Sequence, residues 1–318
     1  MPRGRKKKIK PEEISKAIDF VQEVNSEAET SIKEIETKKK KFPAKLQLTM
    51  KRIQKEYGED SIGFANKEKL SITRIPSNIK SLDEALGGGF PRGMIVEIYG
   101  PESSGKGTIV GKVIANLQKN IGGIVHYVDA EHALEEVWMT KLGVDYEQML
   151  HTTTTDVNRI FDIMKDLLTS NSLDLLVIDS VAALTFPKEL EEEMGKASMA
   201  TLAKQMNKGL RVSNSLNNRQ GPVIIFINQV RDSMAMFGSP TTTPGGKGLR
   251  FFARIRIEVK GGEWYPDKKS AIGREIICRI IKNATSTPEL EARFVLMRAT
   301  GEIKEWDELP RKKKEGDK

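Results

Sequence analysis

The sequence predicts an α/β fold: a mostly parallel, twisted sheet flanked by helices, built around a phosphate-binding loop and preceded by a helical N-terminal extension. Three observations predict it. Short β-branched runs alternate with helical stretches between Met94 and Gln229, the pattern of a parallel sheet covered on both faces. The apolar run "MIVEIYG" leads straight into the glycine-bounded "GPESSGKG", and "TIVGKVIANLQKN" follows with helical character. The first 44 residues are rich in lysine and glutamate, yet place Ile14, Ile18, Val21 and Val24 at helical spacing.

Taken in order, residues 1–44 form a basic, partly helical extension, in which Pro11 with Glu12 and Glu13 makes a helix start. Residues 45–75 hold a helix, "AKLQLTMKRIQKEYG", ending at Gly58, and the short alternating piece "SIGFAN". A core follows over residues 76–300 and a charged tail over 301–318. Within the core, "GGIVHYVDA", "LDLLVIDS" and "GPVIIFINQ" read as buried strands, with "EEVWMTKLG" and "MATLAKQMNKGLRVSNSLNN" as helices. "FFARIRIEVKGG", "REIICRIIKN" and "EARFVLMRAT" lack intervening helices and read as closing antiparallel strands.

Composition narrows the function classes. With 318 residues, a net charge of +8 and a pI near 9.3, the chain favours an acidic polymer as partner. The single cysteine, Cys278, lies in an apolar run; it excludes an internal disulfide framework and suits a reducing compartment. Three histidines and one cysteine show no zinc-site spacing. No apolar stretch approaches the roughly 20 residues of a membrane span. The basic start has no apolar core behind it, so the expectation is a soluble, cytoplasmic protein.

The chemistry sits at strand ends. Backbone N–H groups of a glycine-bounded loop converge on phosphate oxygens, a helix N-terminus adds its dipole, and a lysine adds a full charge. Gly100, Pro101, Glu102, Ser103, Ser104, Gly105, Lys106, Gly107 and Thr108 supply that loop. Asp179 ends the run "DLLVIDS", where a carboxylate supports Mg2+. Glu131 follows "YVDA" and is placed to orient an attacking water; Gln229 ends "IIFINQ" as an amide able to sense a terminal phosphate. Lys204, Lys208 and Arg211 fall at i, i+4 and i+7 of one helix, a cationic stripe suited to a phosphate backbone or an ordinary solvated face. The segment after Gln229 holds Arg231 and then Met234, Met236 and Phe237 among glycines and hydroxyls, apolar side chains that can wedge between unstacked bases.

The blocks "GPESSGK", "DAEHAL", "KLGVD", "IDSVAAL", "FINQVR" and "MFGSP", in this order, resemble the bacterial RecA recombinases over roughly residues 46–300. The resemblance implies a DNA-dependent ATPase with ATP and Mg2+ as cofactors. It implies helical filaments on single-stranded DNA, pairing with homologous double-stranded DNA, and strand exchange. It assigns Glu131 as the hydrolytic carboxylate, Lys106 and Asp179 to the nucleotide and its metal, Gln229 to coupling, and Trp138 to the adenine. Lys282 would reach the ATP of the neighbouring subunit, and Ile62 and Phe251 would lie at the subunit interface. Met199, Lys204, Arg211, Gly245 and Gly246 fall in the family's DNA-binding segments.

Departures from the family are as informative as matches. Gly107 stands where a threonine is expected, Ala284 where a second cross-subunit lysine is expected, and Lys204 where the family has arginine. The glycine-rich loop is one residue shorter, and no separate C-terminal domain follows the core. The first two departures predict ATP binding with slowed hydrolysis, and leave a hydrolysis-poor DNA scaffold or mediator as the alternative. A ring-shaped helicase motor of the same fold fits "DAEHAL" and "MFGSP" poorly.

Overall fold

The computed structural model describes residues 43–63, 71–186, 198–217, 220–232 and 241–310. The chain divides into two units, residues 1–70 and 71–318. In the first, helix α1 (Ala44–Tyr57) ends at Gly58, as the sequence predicts, and a single 3-10 turn (Glu59–Ser61) follows. No residue of α1 is buried, and Leu48 and Tyr57 are 69% and 70% exposed. Gln54 donates to the Ile62 carbonyl at 2.8 Å, folding the turn back on the helix. Within "SIGFAN", Ser61–Gly63 carry no strand, and the remainder lies outside the described residues.

The second unit is built on a nine-stranded mixed sheet. Its strands are β3 (Ile95–Gly100), β4 (Val125–Asp129), β5 (Met149–Thr152), β6 (Leu175–Asp179), β7 (Val223–Gln229), β10 (Ile255–Tyr265), β11 (Gly273–Asn283), β12 (Glu291–Met297) and β13 (Ile303–Glu305). Two small antiparallel pairs lie outside it: β1 (Arg74–Ile75) with β2 (Phe90–Pro91), and β8 (Arg231–Asp232) with β9 (Thr241–Thr242). The order across the sheet is β13-β12-β11-β10-β3-β7-β6-β4-β5. It is parallel from β5 through β10 and antiparallel from β10 onward, as the helix-free C-terminal runs predict.

Both faces of the parallel half are covered, which explains the continuous apolar runs. Successive residues of one strand enter opposite cores. In β7, Val223, Ile225 and Ile227 join one core, and Ile224 and Phe226 the other. In β6, Leu175 and Val177 separate from Leu176 and Ile178 in the same way. The first core is closed by α2 (Lys80–Leu86), α3 (Lys106–Ile121) and α4 (Glu136–Leu142). The second is closed by α5 (Val157–Ser170), α6 (Ser198–Leu216) and α7 (Gly246–Phe252).

Two differences from the sequence reading stand out. β5 and α5 were not anticipated between "KLGVD" and "LDLLVIDS". Phe251 and Phe252, expected in a strand, close the helix α7, and β10 begins only at Ile255. Gly245 caps that helix with φ 88°, a conformation that turns the chain before aromatic strand preference can act.

Candidate nucleotide site and DNA-facing surface

The sheet brings four carboxyl strand ends to one cavity of about 640 Å³, within the usual range for small-molecule sites. Residues 102–108 line it, together with Glu131, Trp138, Asp179, Ser180, Gln229 and Leu296. The loop between β3 and α3 is shaped by neighbours as well as by its own turns. A side chain at Gly100 would run into the Val259 carbonyl of the adjacent strand, and Gly105 sits at φ 103° against Ile276. Only glycine fits both demands.

Lys106 Nζ donates to the carbonyls of Gly100 and Pro101 at 3.0 and 2.6 Å, which holds the ammonium over the loop. Burial lowers its pKa, while Asp179, Glu131 and Glu102 pull it back up. The hydroxyl of Ser104 is buried and has no hydrogen-bond partner among the described residues, an orphan polar atom within the loop. Thr108 is buried, and a side chain at Gly107 would meet no atom within 4 Å. The helix start beside the loop therefore has room for the hydroxyl it lacks.

Three carboxylates from two strand ends are held in three different ways. Asp129 accepts from the backbone N–H groups of Ala133 and Leu134, both at 3.1 Å, and so fixes the segment that carries Glu131. Glu131 Oε1 accepts from Gln229 Nε2 at 3.0 Å and from the Ser180 hydroxyl. Asp179 Oδ2 accepts from the Tyr127 phenol at 2.6 Å. Burial pushes the Asp179 carboxyl up to about 6; the Tyr127 hydrogen bond opposes this, and Glu131 and Asp129 add to it. The sequence reading found Glu131, Asp179 and Gln229, and missed Ser180 and Tyr127. Their signal was faint: a hydroxyl after a strand-end aspartate and a phenol inside an apolar run.

It also missed a buried network behind the loop. Glu97 is fully buried in β3; Arg256 Nε lies 2.6 Å from one of its oxygens and Asn228 Nδ2 3.0 Å from the other. A lone carboxylate in "MIVEIYG" was the available signal, because a buried charge requires partners.

The donor set suits a metal that arrives with its ligand. Oxygen donors dominate the cavity, and no group of three or more His, Cys, Asp or Glu residues that could hold an ion occurs among the described residues. That fits Mg2+, which keeps waters and phosphate oxygens rather than a protein cage. A glycine-bounded loop with its lysine, beside a strand-end aspartate and a glutamate bonded to a strand-end amide, on a sheet of this order, defines the phosphate-loop nucleoside triphosphatase class.

The comparisons narrow that class to one family. The RecA N-terminal domain family matches residues 44–303. The chain is 42% identical over 259 residues to the RecA protein of Mycobacterium ulcerans (strain Agy99), covering 80% of this chain and 75% of that one. It is 38% identical over 265 residues to the RecA protein of Bacillus velezensis (strain DSM 23117 / BGSC 10A6 / LMG 26770 / FZB42), covering 82% and 76%. The chain belongs to the RecA family. With the family come its activities: DNA-dependent ATP hydrolysis, filament formation on single-stranded DNA, and pairing and strand exchange with homologous duplex.

The remaining predicted residues fall on two other surfaces. Lys204, Lys208 and Arg211 are all exposed along α6, whose opposite side buries Met206, Leu210 and Ser213. The i, i+4, i+7 stripe is therefore real. Gly245 and Gly246 have φ 88° and 73°, and side chains there would press on Val181 and Ala203. Backbone conformation and packing require glycine at both positions, independent of any ligand nearby. Met199 lies in the first turn of α6 and Arg231 in β8, with side chains outside the described residues; Met234, Met236 and Phe237 lie wholly outside them. Lys282 does not line the cavity of its own chain. Its ammonium donates to the carbonyls of Arg250 and Phe251, both at 3.2 Å, and Phe251 is 77% exposed. Two residues expected at a subunit contact thus stand together. Ile62 is half-buried within the first unit. No described helix is long and apolar enough to cross a membrane.

Proposed function

We propose that this chain is a RecA-type recombinase that binds ATP with Mg2+ in the cavity described above, assembles through it, and hydrolyses it slowly. The observation that carries the reading is the convergence of residues 102–108, Glu131, Asp179 and Gln229 on one cavity, with Gln229 bonded directly to Glu131. The loop N–H groups and Lys106 bind the phosphates, and Trp138 packs against the base. Asp179 would support Mg2+, which supplies charge neutralisation on the phosphates when bound. Glu131 accepts the proton of the attacking water, positioned by Ser180 and Gln229. Because Gln229 ends β7 where the segment 230–243 begins, a rearrangement of its amide toward a terminal phosphate is passed to that segment.

Lys204, Lys208 and Arg211 hold DNA phosphates, with Met199, Arg231, Met234, Met236, Phe237, Gly245 and Gly246 around the strand. Phe251 and Ile62 contact a neighbouring protomer, to whose nucleotide Lys282 is directed. The unburied α1, with Leu48 and Tyr57 exposed, supports a role in the same contact. The basic extension, residues 1–44, gathers duplex DNA.

Open space at Gly107 and the methyl of Ala284 favour a second reading, a filament-forming scaffold with little turnover. One experiment separates the two: strand exchange measured with ATP, with a slowly hydrolysed analogue, and without nucleotide. Exchange with both nucleotides and none without supports the recombinase with slow turnover. Coating of single strands without exchange supports the scaffold. Isolated particles under all three conditions defeat both.

A further inference from the structure

Behind the cavity, bonded to one of its lining carboxylates, is a hydroxyl that no phosphate-loop pattern calls for. Tyr127 lies in β4, is 2% exposed, and spends its only O–H on Asp179 Oδ2 at 2.6 Å. The other carboxylates are tied to different duties, Asp129 to the backbone of residues 133 and 134, and Glu131 to Ser180 and Gln229. Among the described residues Asp179 Oδ1 takes no hydrogen bond, which leaves it as the oxygen available to the cavity Asp179 lines. One oxygen is clamped and one is free. That is how an outer partner orients a metal-binding carboxylate.

The clamp matters because of what is missing opposite it. In a phosphate loop ending in serine or threonine, a hydroxyl and the strand-end aspartate share the task of placing the metal. Here position 107 offers no side chain, and a water in its place brings no fixed orientation. More of the ordering then falls on Asp179, and a carboxylate free to rotate would supply it poorly.

We propose that Tyr127 is a positioning residue that locks Asp179 for Mg2+–nucleotide binding and offsets the absent hydroxyl at Gly107. This rests on the cavity being the Mg2+–ATP site. The structural alternative is a phenol that merely satisfies itself in the core, and the two differ in what they do to metal dependence.

The test is binding, not turnover. Fluorescent ADP is bound to the full chain, its Tyr127→Phe, Gly107→Thr and double variants, while Mg2+ is titrated, with a parallel measurement in chelator. Circular dichroism at the working temperature accompanies each variant. Tyr127→Phe should raise the Mg2+ concentration for half-maximal binding about tenfold, leaving Mg2+-free binding within twofold. Gly107→Thr should restore the Tyr127→Phe midpoint to within about threefold of the parent, and should improve the parent itself less, a non-additive cycle. A Tyr127→Phe midpoint within twofold of the parent overturns the proposal. So does an equal loss of Mg2+-free binding, which marks a structural role only, and so do additive effects of the two substitutions. If Tyr127→Phe loses its fold, the proposal stands only where Gly107→Thr restores Mg2+-dependent binding to the double variant. Failure of the parent chain to bind the nucleotide under any condition removes the site reading and this inference with it.

Discussion

Gly107→Thr is the sharpest test of the proposed slow hydrolysis. Gly107 is the second residue of α3, without a positive φ, and a side chain there meets no atom within 4 Å. The Cβ of a threonine would enter open space. Its effect on the fold is small: the helix-propensity gap between glycine and threonine is about 0.3 kcal/mol, which raises the unfolding midpoint by roughly 1 °C in a domain of this size. The effect on chemistry is larger. A hydroxyl interacting with a charged centre is worth about 1.5–3 kcal/mol, or roughly 10- to 150-fold in rate. A metal-bound water in place of that hydroxyl would recover part of this, so the expected gain lies near the lower end, about tenfold.

The assay is steady-state ATP hydrolysis with saturating single-stranded DNA and excess Mg2+, resolved into kcat and KM. The gain belongs in kcat if the hydroxyl acts mainly on the developing charge of the transition state. Gly107→Ala is the control, because it captures the helix-propensity change and supplies no hydroxyl. A rise of no more than twofold for threonine, or an equal rise for alanine, would refute the reasoning that the missing hydroxyl limits turnover.

Other expectations follow from the same geometry. Replacing Lys204, Lys208 and Arg211 with alanine should flatten the log–log salt dependence of single-strand binding by about 2, some 0.7 for each phosphate no longer neutralised; an unchanged slope removes the α6 stripe from the interface. Gly209→Ala should lower stability by about 1–2 kcal/mol in urea unfolding although alanine is the better helix former, because its methyl would collide with the Phe161 ring; a gain of stability would show that the α5–α6 contact has slack. His126 is buried, bonds only Thr152 Oγ1 among the described residues, and has its pKa lowered to about 4, by burial first and by His151 second. The unfolded chain takes up its proton near pH 6.5 and the folded chain only near 4, so stability present above pH 6.5 is lost as pH falls through that window. That amounts to about 1 kcal/mol between pH 7 and 5.5, and an equal loss in His126→Gln would assign the pH dependence to other groups.

What the sequence made legible, and what it did not, divides along physical lines. Lys106, Glu131, Asp179 and Gln229 each follow an apolar run, and a parallel sheet necessarily carries such positions to one edge; strand and order suffice to gather them. Tyr127 and Asp179, 52 residues apart, meet through cross-strand register, which no local pattern encodes. The same holds for Arg256 and Glu97, paired directly across β10 and β3. α5 is a different case. Val157, Ile160, Met164 and Leu168 give it a regular buried stripe, so its periodicity was available along the chain. Phe251 misled because aromatic residues favour strands in general, whereas here the glycines at 245 and 246 start a helix first.

The buried network behind the loop bears on how nucleotide and DNA surfaces communicate. Glu97 precedes the phosphate loop by three residues and is shared by Arg256 and Asn228. Asn228 also donates to the Pro244 carbonyl at 3.0 Å, beyond the segment that begins after Gln229. Removing one partner of such a buried charge costs about 3–5 kcal/mol, so these attachments are strongly held. Both ends of the segment are consequently tied to the strand that carries the loop. The proposed change of partner by Gln229 would have little to move in the sheet, whose strands are buried on both faces and close-packed. In the proposed coupling the strands would stay in place, and the network of Glu97, Asn228 and Arg256 is what holds the end of β7 and Pro244 to the strand that carries the loop.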